Sequence, residues 1–248
     1  GRSLGEDRRL LVIVACVVVA ALLLWLAFFR GGDEEQPPPL PPGAIPTDVW
    51  APYWTLSETL PALEARLQQT REVSTFWYGA RSAALIRVDD NTPEEAAEQF
   101  VEIARDSVAT FVPSIRDEMP AGGMAAVLAS PTTREQHIET ILDFADEIGA
   151  DGIDLDYEQF AFSDGRDTWA ATSTNWVTFI RDLATALHDD GRTLTVSVPS
   201  VYDPAVTGGD QGFWVYAHGT IAEYVDAIRI MAYDYSVPDP GPIAPLAW

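Results

Sequence analysis

The stretch Asp151-Gly-Ile-Asp154-Leu-Asp156-Tyr-Glu158 constrains the fold of this chain more than any other segment. It reads as a buried strand, and on a strand successive side chains point to opposite faces. Asp154, Asp156 and Glu158 then share one face, spaced roughly 6.5–7 Å apart, while Ile153, Leu155 and Tyr157 share the other. Burying one unpaired carboxylate costs several kcal/mol, and crowding three raises their pKa values against one another. A fold accepts that mainly where the acids do chemistry or bind a cation.

The pattern around this strand is regular. Short apolar runs at 48–54, 73–78, 109–115, 152–157, 194–198 and 227–233 read as strands. Between them, Leu56, Leu60, Leu63 and Leu67 recur at helical spacing. Thr92-Pro93-Glu94-Glu95 is a capping box with proline in the first turn, opening a helix to residue 104. Ser130-Pro131 opens another, whose Ile138, Ile141, Leu142, Ala145 and Ile148 form one face before Gly149 stops it. Trp176, Ile180, Leu183 and Leu187 repeat the device, ended by Gly191. Six strand–helix units without a hairpin signal imply a parallel sheet, either an open doubly wound sheet or a (β/α)8 TIM barrel. An open sheet covered by helices has no place for three acids. In a barrel the inner face leads to an active-site mouth at the carboxyl ends of the strands. The barrel is the expected α/β architecture.

The first 46 residues differ in character. Residues 10–29 run for 20 positions without a charge, long enough for a transmembrane helix, after a short N-terminus (1–9) that ends in Arg8 and Arg9. Positive residues stay cytoplasmic, so the bulk of the chain is expected outside the cell membrane on a single-pass anchor; secretion after signal cleavage is the rival reading. Residues 30–46 are rich in proline and acid and read as a semi-rigid linker, which leaves 47–248 as the barrel region. The net charge of −23, with all 15 basic residues arginine, argues against a nucleic-acid partner. The single cysteine, Cys16, falls in the apolar run, so the remainder has no disulfide and no thiolate metal site. His137, His188 and His218 lack metal-ligand spacing and are expected to be solvated or capping.

The fourth strand as counted here resembles that of the family 18 glycoside hydrolases, which carries Asp-x-x-Asp-x-Asp-x-Glu, matched by Asp151, Asp154, Asp156 and Glu158. The family's sixth strand carries Met-x-Tyr-Asp, matched by Met231-Ala-Tyr233-Asp234. Phe76-Trp77-Tyr78-Gly79 and the segment 241–248 look like the spore-germination and cell-wall subgroup. The chain ends just past the sixth strand, so the expected barrel is incomplete, six of eight βα units, without the eighth-strand tryptophan that floors the family's sugar site.

The resemblance implies a chitinase-like glycosidase acting on glycans that contain N-acetylglucosamine. It retains configuration through the substrate's own acetamido group. Glu158 is then the general acid and base, with Asp156, Asp154 and Tyr233 as its catalytic partners. Asp234 and Met231 shape the pocket, and Trp54, Trp77 and Tyr78 are candidate sugar-stacking residues. Asp151 has the opposite parity and a structural role, and Arg229 is a candidate countercharge for the acidic stripe. No cofactor and no metal are required. Two alternatives stand beside this reading: an Asp-x-Asp divalent-cation site, and a lectin-like, non-hydrolytic sugar binder with the same barrel.

Overall fold

A computed structural model describes residues 45–233, 236 and 240–244. The expected membrane span at 10–29 and most of the linker lie outside the described residues. Among the described residues no helix is long and apolar enough to cross a membrane.

The strands are β1 (Thr47–Pro52), β2 (Thr70–Ser82), β3 (Leu85–Val88), β4 (Thr110–Phe111), β5 (Ser114–Asp117), β6 (Gly152–Asp156), β7 (Thr193–Pro199) and β8 (Ala227–Met231). The main helices are α1 (Leu56–Arg66), α2 (Glu94–Arg105), α3 (Gly123–Ala129), α4 (Pro131–Ile148), α5 (Gln159–Phe162) and α6 (Trp169–Asp189). One sheet runs β1-β2-β5-β6-β7-β8, with every neighbour on that path parallel. A side-chain contact shows how it curves. Arg229 on β8 hydrogen-bonds Ser74 on β2 at 3.0 Å, although three strands separate the two. Laid flat, those strands would stand roughly 19 Å apart at the inter-strand spacing. The sheet therefore curls around its polar inner face, as the incomplete barrel requires. Helices cover the outer face, where Trp77, Ile115, Ile153, Leu155, Val196 and Val198 are buried.

Several local expectations need correction. Strands β2 and β3 form an antiparallel hairpin with no Asn-Gly or Asp-Gly signal to betray it. The strand expected at 109–115 is split into β4 and β5, because Pro113 has no N–H to give the ladder. Thr92 is no cap: α2 begins after Pro93 without a side-chain cap, and the Thr92 hydroxyl is buried without a partner among the described residues. Ser130 does cap α4, accepting from the Thr133 N–H, and Gly149 ends that helix in the left-handed conformation at φ 67°. Of the expected α4 stripe, Ile141 and Ala145 are fully buried and Ile138, Leu142 and Ile148 pack partly buried against the core, while His137 and Phe144 are buried beside them. His137 is thus buried, not solvated or capping; His188 pairs with Asp226, and His218 with the Pro199 carbonyl.

Candidate active site

All five residues of β6 are buried, and alternation divides them as the strand geometry demands. Asp154 points inward and is fully enclosed. Its carboxylate accepts from the hydroxyls of Ser114 (2.6 Å) and Ser197 (2.9 Å) and from the Arg229 guanidinium (2.8 Å), which also pairs with Glu72. The buried acid is thus held by neighbouring strands on both sides and by a countercharge from across the sheet.

Asp156, one step nearer the carboxyl end, has no such company. It is 8% exposed, and its Oδ1 finds no partner among the described residues. Burial, reinforced by the charges of Glu158 and Asp154 and offset in part by Arg116, pushes its carboxyl from 3.8 to about 8. Asp156 is therefore mostly protonated at neutral pH.

Glu158 follows the strand end and caps α5, where the N–H groups of Ala161 and Phe162 donate to its carbonyl. The residue before it is fixed twice. The Tyr216 hydroxyl donates to the Tyr157 carbonyl at 2.8 Å. The Tyr157 hydroxyl meets His137 Nε2 at 2.7 Å, while His137 Nδ1 faces the Ala83 carbonyl at 3.2 Å. A carbonyl accepts, so Nδ1 carries the proton and Nε2 accepts from the tyrosine. Burial pushes His137 down to about 4, which keeps the ring neutral. Asp151 has the structural role its parity implies: its carboxylate takes the Phe111 N–H at 2.8 Å.

Beside Asp156 lies a cleft of about 300 Å³, lined by Trp50, Ser197, Arg229, Met231 and Tyr233 among others. Tyr233 is 57% exposed at its rim. Trp54 is 59% exposed and stands edge-on to Trp50 and Phe76, with centroids 6.2 and 5.9 Å apart. Asp234 lies outside the described residues.

Trp77 and Tyr78 do not reach this site. Trp77 points outward by ordinary alternation, and the β2–β5 register shift between Phe76 and Tyr78 inserts a residue that turns Tyr78 outward as well. Trp77 packs on Phe100 of α2 and Tyr78 on Phe144 of α4, and both are buried core. Phe76 keeps the inward parity of Ser74, and the bulge sends Gly79 inward. Residues that simple motif reading missed are Arg116, Asp117, Asp89 and Glu118, which wall a second cavity of about 460 Å³ that meets the first at Asp156. The parity of Ser114 and Arg116 on one strand was the available signal for part of it.

A curled parallel sheet with buried acids toward its carboxyl end is the arrangement of a barrel enzyme. The sequence profile of the glycosyl hydrolases family 18 matches residues 53–248, and the chain belongs to that family of glycosidases. It is 32% identical over 124 residues to the "Putative sporulation-specific glycosylase YdhD" of Bacillus subtilis (strain 168), covering 48% of this chain and 26% of that protein. It is 29% identical over 143 residues to Chitotriosidase-1 of Mus musculus, covering 52% of this chain and 29% of the mouse protein. Among solved structures, the spore cortex-lytic enzyme SleL of Bacillus cereus superposes with a TM-score of 0.64 at 19% identity, over 82% of this chain and 45% of that one. That last likeness is one of fold. The chain thus matches less than a third of the length of either curated relative.

Proposed function

We propose that this protein is a membrane-anchored, extracytoplasmic hydrolase of β-linked N-acetylglucosamine glycans, either cell-wall peptidoglycan or a chitin-like polymer. It works with retention of configuration and with help from the substrate's acetamido group. The observation that carries the reading is the buried Asp156 carboxyl, raised to about 8 beside Glu158 and above a fully satisfied Asp154. Such a stack is expensive unless one acid must hold a proton and another must give one.

In this mechanism Glu158 protonates the glycosidic oxygen and later activates water. The acetamido oxygen attacks the anomeric carbon in place of an enzyme carboxylate. Asp156 orients the acetamido group through a hydrogen bond, and it offsets the positive charge that develops there once its own proton has been shared away. Tyr233 hydrogen-bonds the same group from across the cleft, with Met231 beneath. Trp50 and Trp54 offer exposed rings for a further sugar. The uncharged run at 10–29 behind Arg8 and Arg9 supports the anchor.

Glu158→Gln in the full-length protein is expected to lower turnover roughly 10²–10⁴-fold while leaving oligosaccharide binding nearly intact. More than a tenth of wild-type activity in that variant would sink the assignment. Wild-type protein that binds N-acetylglucosamine oligomers without cleaving any glycan would instead establish the lectin-like reading. Chelators are expected to leave turnover unchanged; loss with EDTA and recovery with calcium or magnesium would establish a metal site.

A further inference from the structure

Two buried tyrosines and a buried histidine converge on one peptide unit, the one that joins Tyr157 to Glu158. The Tyr216 hydroxyl donates to its carbonyl at 2.8 Å, and the Trp176 indole N–H holds Tyr216 in turn by donating to the Tyr216 carbonyl at 3.1 Å. The Tyr157 side chain is tied at its far end. Its hydroxyl donates to His137 Nε2 at 2.7 Å, and His137 Nδ1 donates to the Ala83 carbonyl in the β2–β3 turn at 3.2 Å. Phe179 stacks on both rings, at 12° to Tyr157 and 19° to His137.

Packing alone does not require these groups. Phenylalanine at 157 and 216 and leucine at 137 would fill much of the same space without taking two hydroxyls and an imidazole out of water. A buried polar network specifies one arrangement of its members when each is satisfied, as each is here. What this one specifies is the backbone at Glu158. The peptide plane before Glu158 is held by the Tyr216 hydroxyl. The plane after it is held by the Ala161 and Phe162 N–H groups, which donate to the Glu158 carbonyl at 2.9 Å each. Two fixed planes fix φ and ψ between them, −106° and −25° here, and with them the direction of the Cα–Cβ bond.

Building on the glycosidase reading of Glu158, we propose that Tyr216 and the Tyr157–His137 pair are positioning residues for the acid and base of the reaction. All three are fully buried, so none of them meets the glycan. They hold the backbone from which the Glu158 carboxyl reaches the glycosidic oxygen, and the turn at Ala83 anchors the pair. A misplacement of about 1 Å at a reacting group can cost on the order of 10²-fold in rate.

The dependence on leaving group tests this in the full-length protein. A sugar alcohol leaves only with a proton from Glu158, whereas a nitrophenolate leaves with little help. The substrates are tetra-N-acetylglucosamine, or wall glycan if that is what the wild type cleaves, and the nitrophenyl β-glycoside of di-N-acetylglucosamine. Tyr216→Phe is expected to lower kcat/KM about tenfold or more on the glycan and about threefold or less on the aryl glycoside. Tyr157→Phe shows the same discrimination, and serves where Tyr216→Phe gives no folded protein. His137→Leu added to Tyr157→Phe costs about twofold or less further, because the two side chains act as a unit. Losses that add in the double variant remove His137 from the arrangement. Equal losses on both substrates overturn the proposal, since damage to the fold at large spares no leaving group. Wild-type values on both overturn it as well. Glu158→Gln separates this proposal from the reading beneath it, since it must discriminate in the same sense and more strongly. If it does and the tyrosine variants do not, the positioning role falls and the hydrolase stands. If Glu158→Gln still cleaves the glycan at the wild-type rate, the assignment of Glu158 falls and takes this proposal with it.

Discussion

Asp154 and Asp156 have the same chemistry and the same strand, yet their surroundings assign them different work. Asp154 is satisfied by two hydroxyls and Arg229. Arg229→Leu would strand that acid, and breaking a buried pair from one side costs about 3–5 kcal/mol. Urea denaturation should show the loss, and Asp154→Asn in the same protein should recover part of it. Asp156 and Asp117 carry the opposite signature. Their folded pKa values, about 8 and about 7, lie above the ordinary 3.8. The folded state binds more protons than the unfolded chain between these limits, so each carboxyl lowers stability as pH rises from near 4 toward 8. His137 acts in the reverse sense below its ordinary 6.5, so the comparison is made between variants at fixed pH. Asp117→Asn is expected to raise the thermal midpoint by about 4 °C or more at pH 8 and to move it little at pH 4. An equal shift at both would mean the carboxyl is not held neutral. Asp154, Asp156 and Glu158 could be placed by alternation alone. That one would be sated and the next left without partners could not, because Ser114, Ser197 and Arg229 come from three other strands.

At the scale of elements, what could be read early was whatever a local rule governs. The order of strands and helices, the Ser130 cap and the Gly149 stop follow from short-range patterns. The bulge in β2 does not. It inserts one residue relative to β5, and that slip carries Tyr78 to the helices and Gly79 to the interior. Strict alternation cannot report a register shift, since the shift depends on the partner strand. The same dependence hid the β2–β3 hairpin, whose turn lacks the usual residues. Close approach of neighbouring strands also leaves a test at Gly152. A Cβ there would lie 2.8 Å from the Thr193 carbonyl, a backbone atom that cannot swing aside. Gly152→Ala is expected to destabilise by about 1–3 kcal/mol, read as a lower urea midpoint with unchanged slope. A neutral result would mean β6 and β7 can separate without loss.

For the molecule as a whole, the acidic strand was enough to choose a curled sheet over a flat one, and the Arg229 contact across the interior bears that out. The choice worked because charge burial is a global constraint written in a local motif. The same curvature leaves the ends of the strand path, β1 and β8, unjoined to each other among the described residues. An unpaired edge presents backbone donors and acceptors to any other strand. Here the edge also carries apolar surface, with Ile230 on β8 55% exposed and Trp50 on β1 accessible. Charge works the other way, since a net −23 keeps copies apart at low salt and less so when screened. This chain is therefore expected to self-associate with rising concentration, more strongly at high than at low ionic strength. Sedimentation velocity across a concentration series would register it as a rising weight-average coefficient. Ile230→Lys puts a charge on the edge and removes apolar area at once, and should restore a concentration-independent profile. If the wild-type chain stays monomeric at high salt and concentration, then something covers that edge, and the open-arc description of the sheet is incomplete.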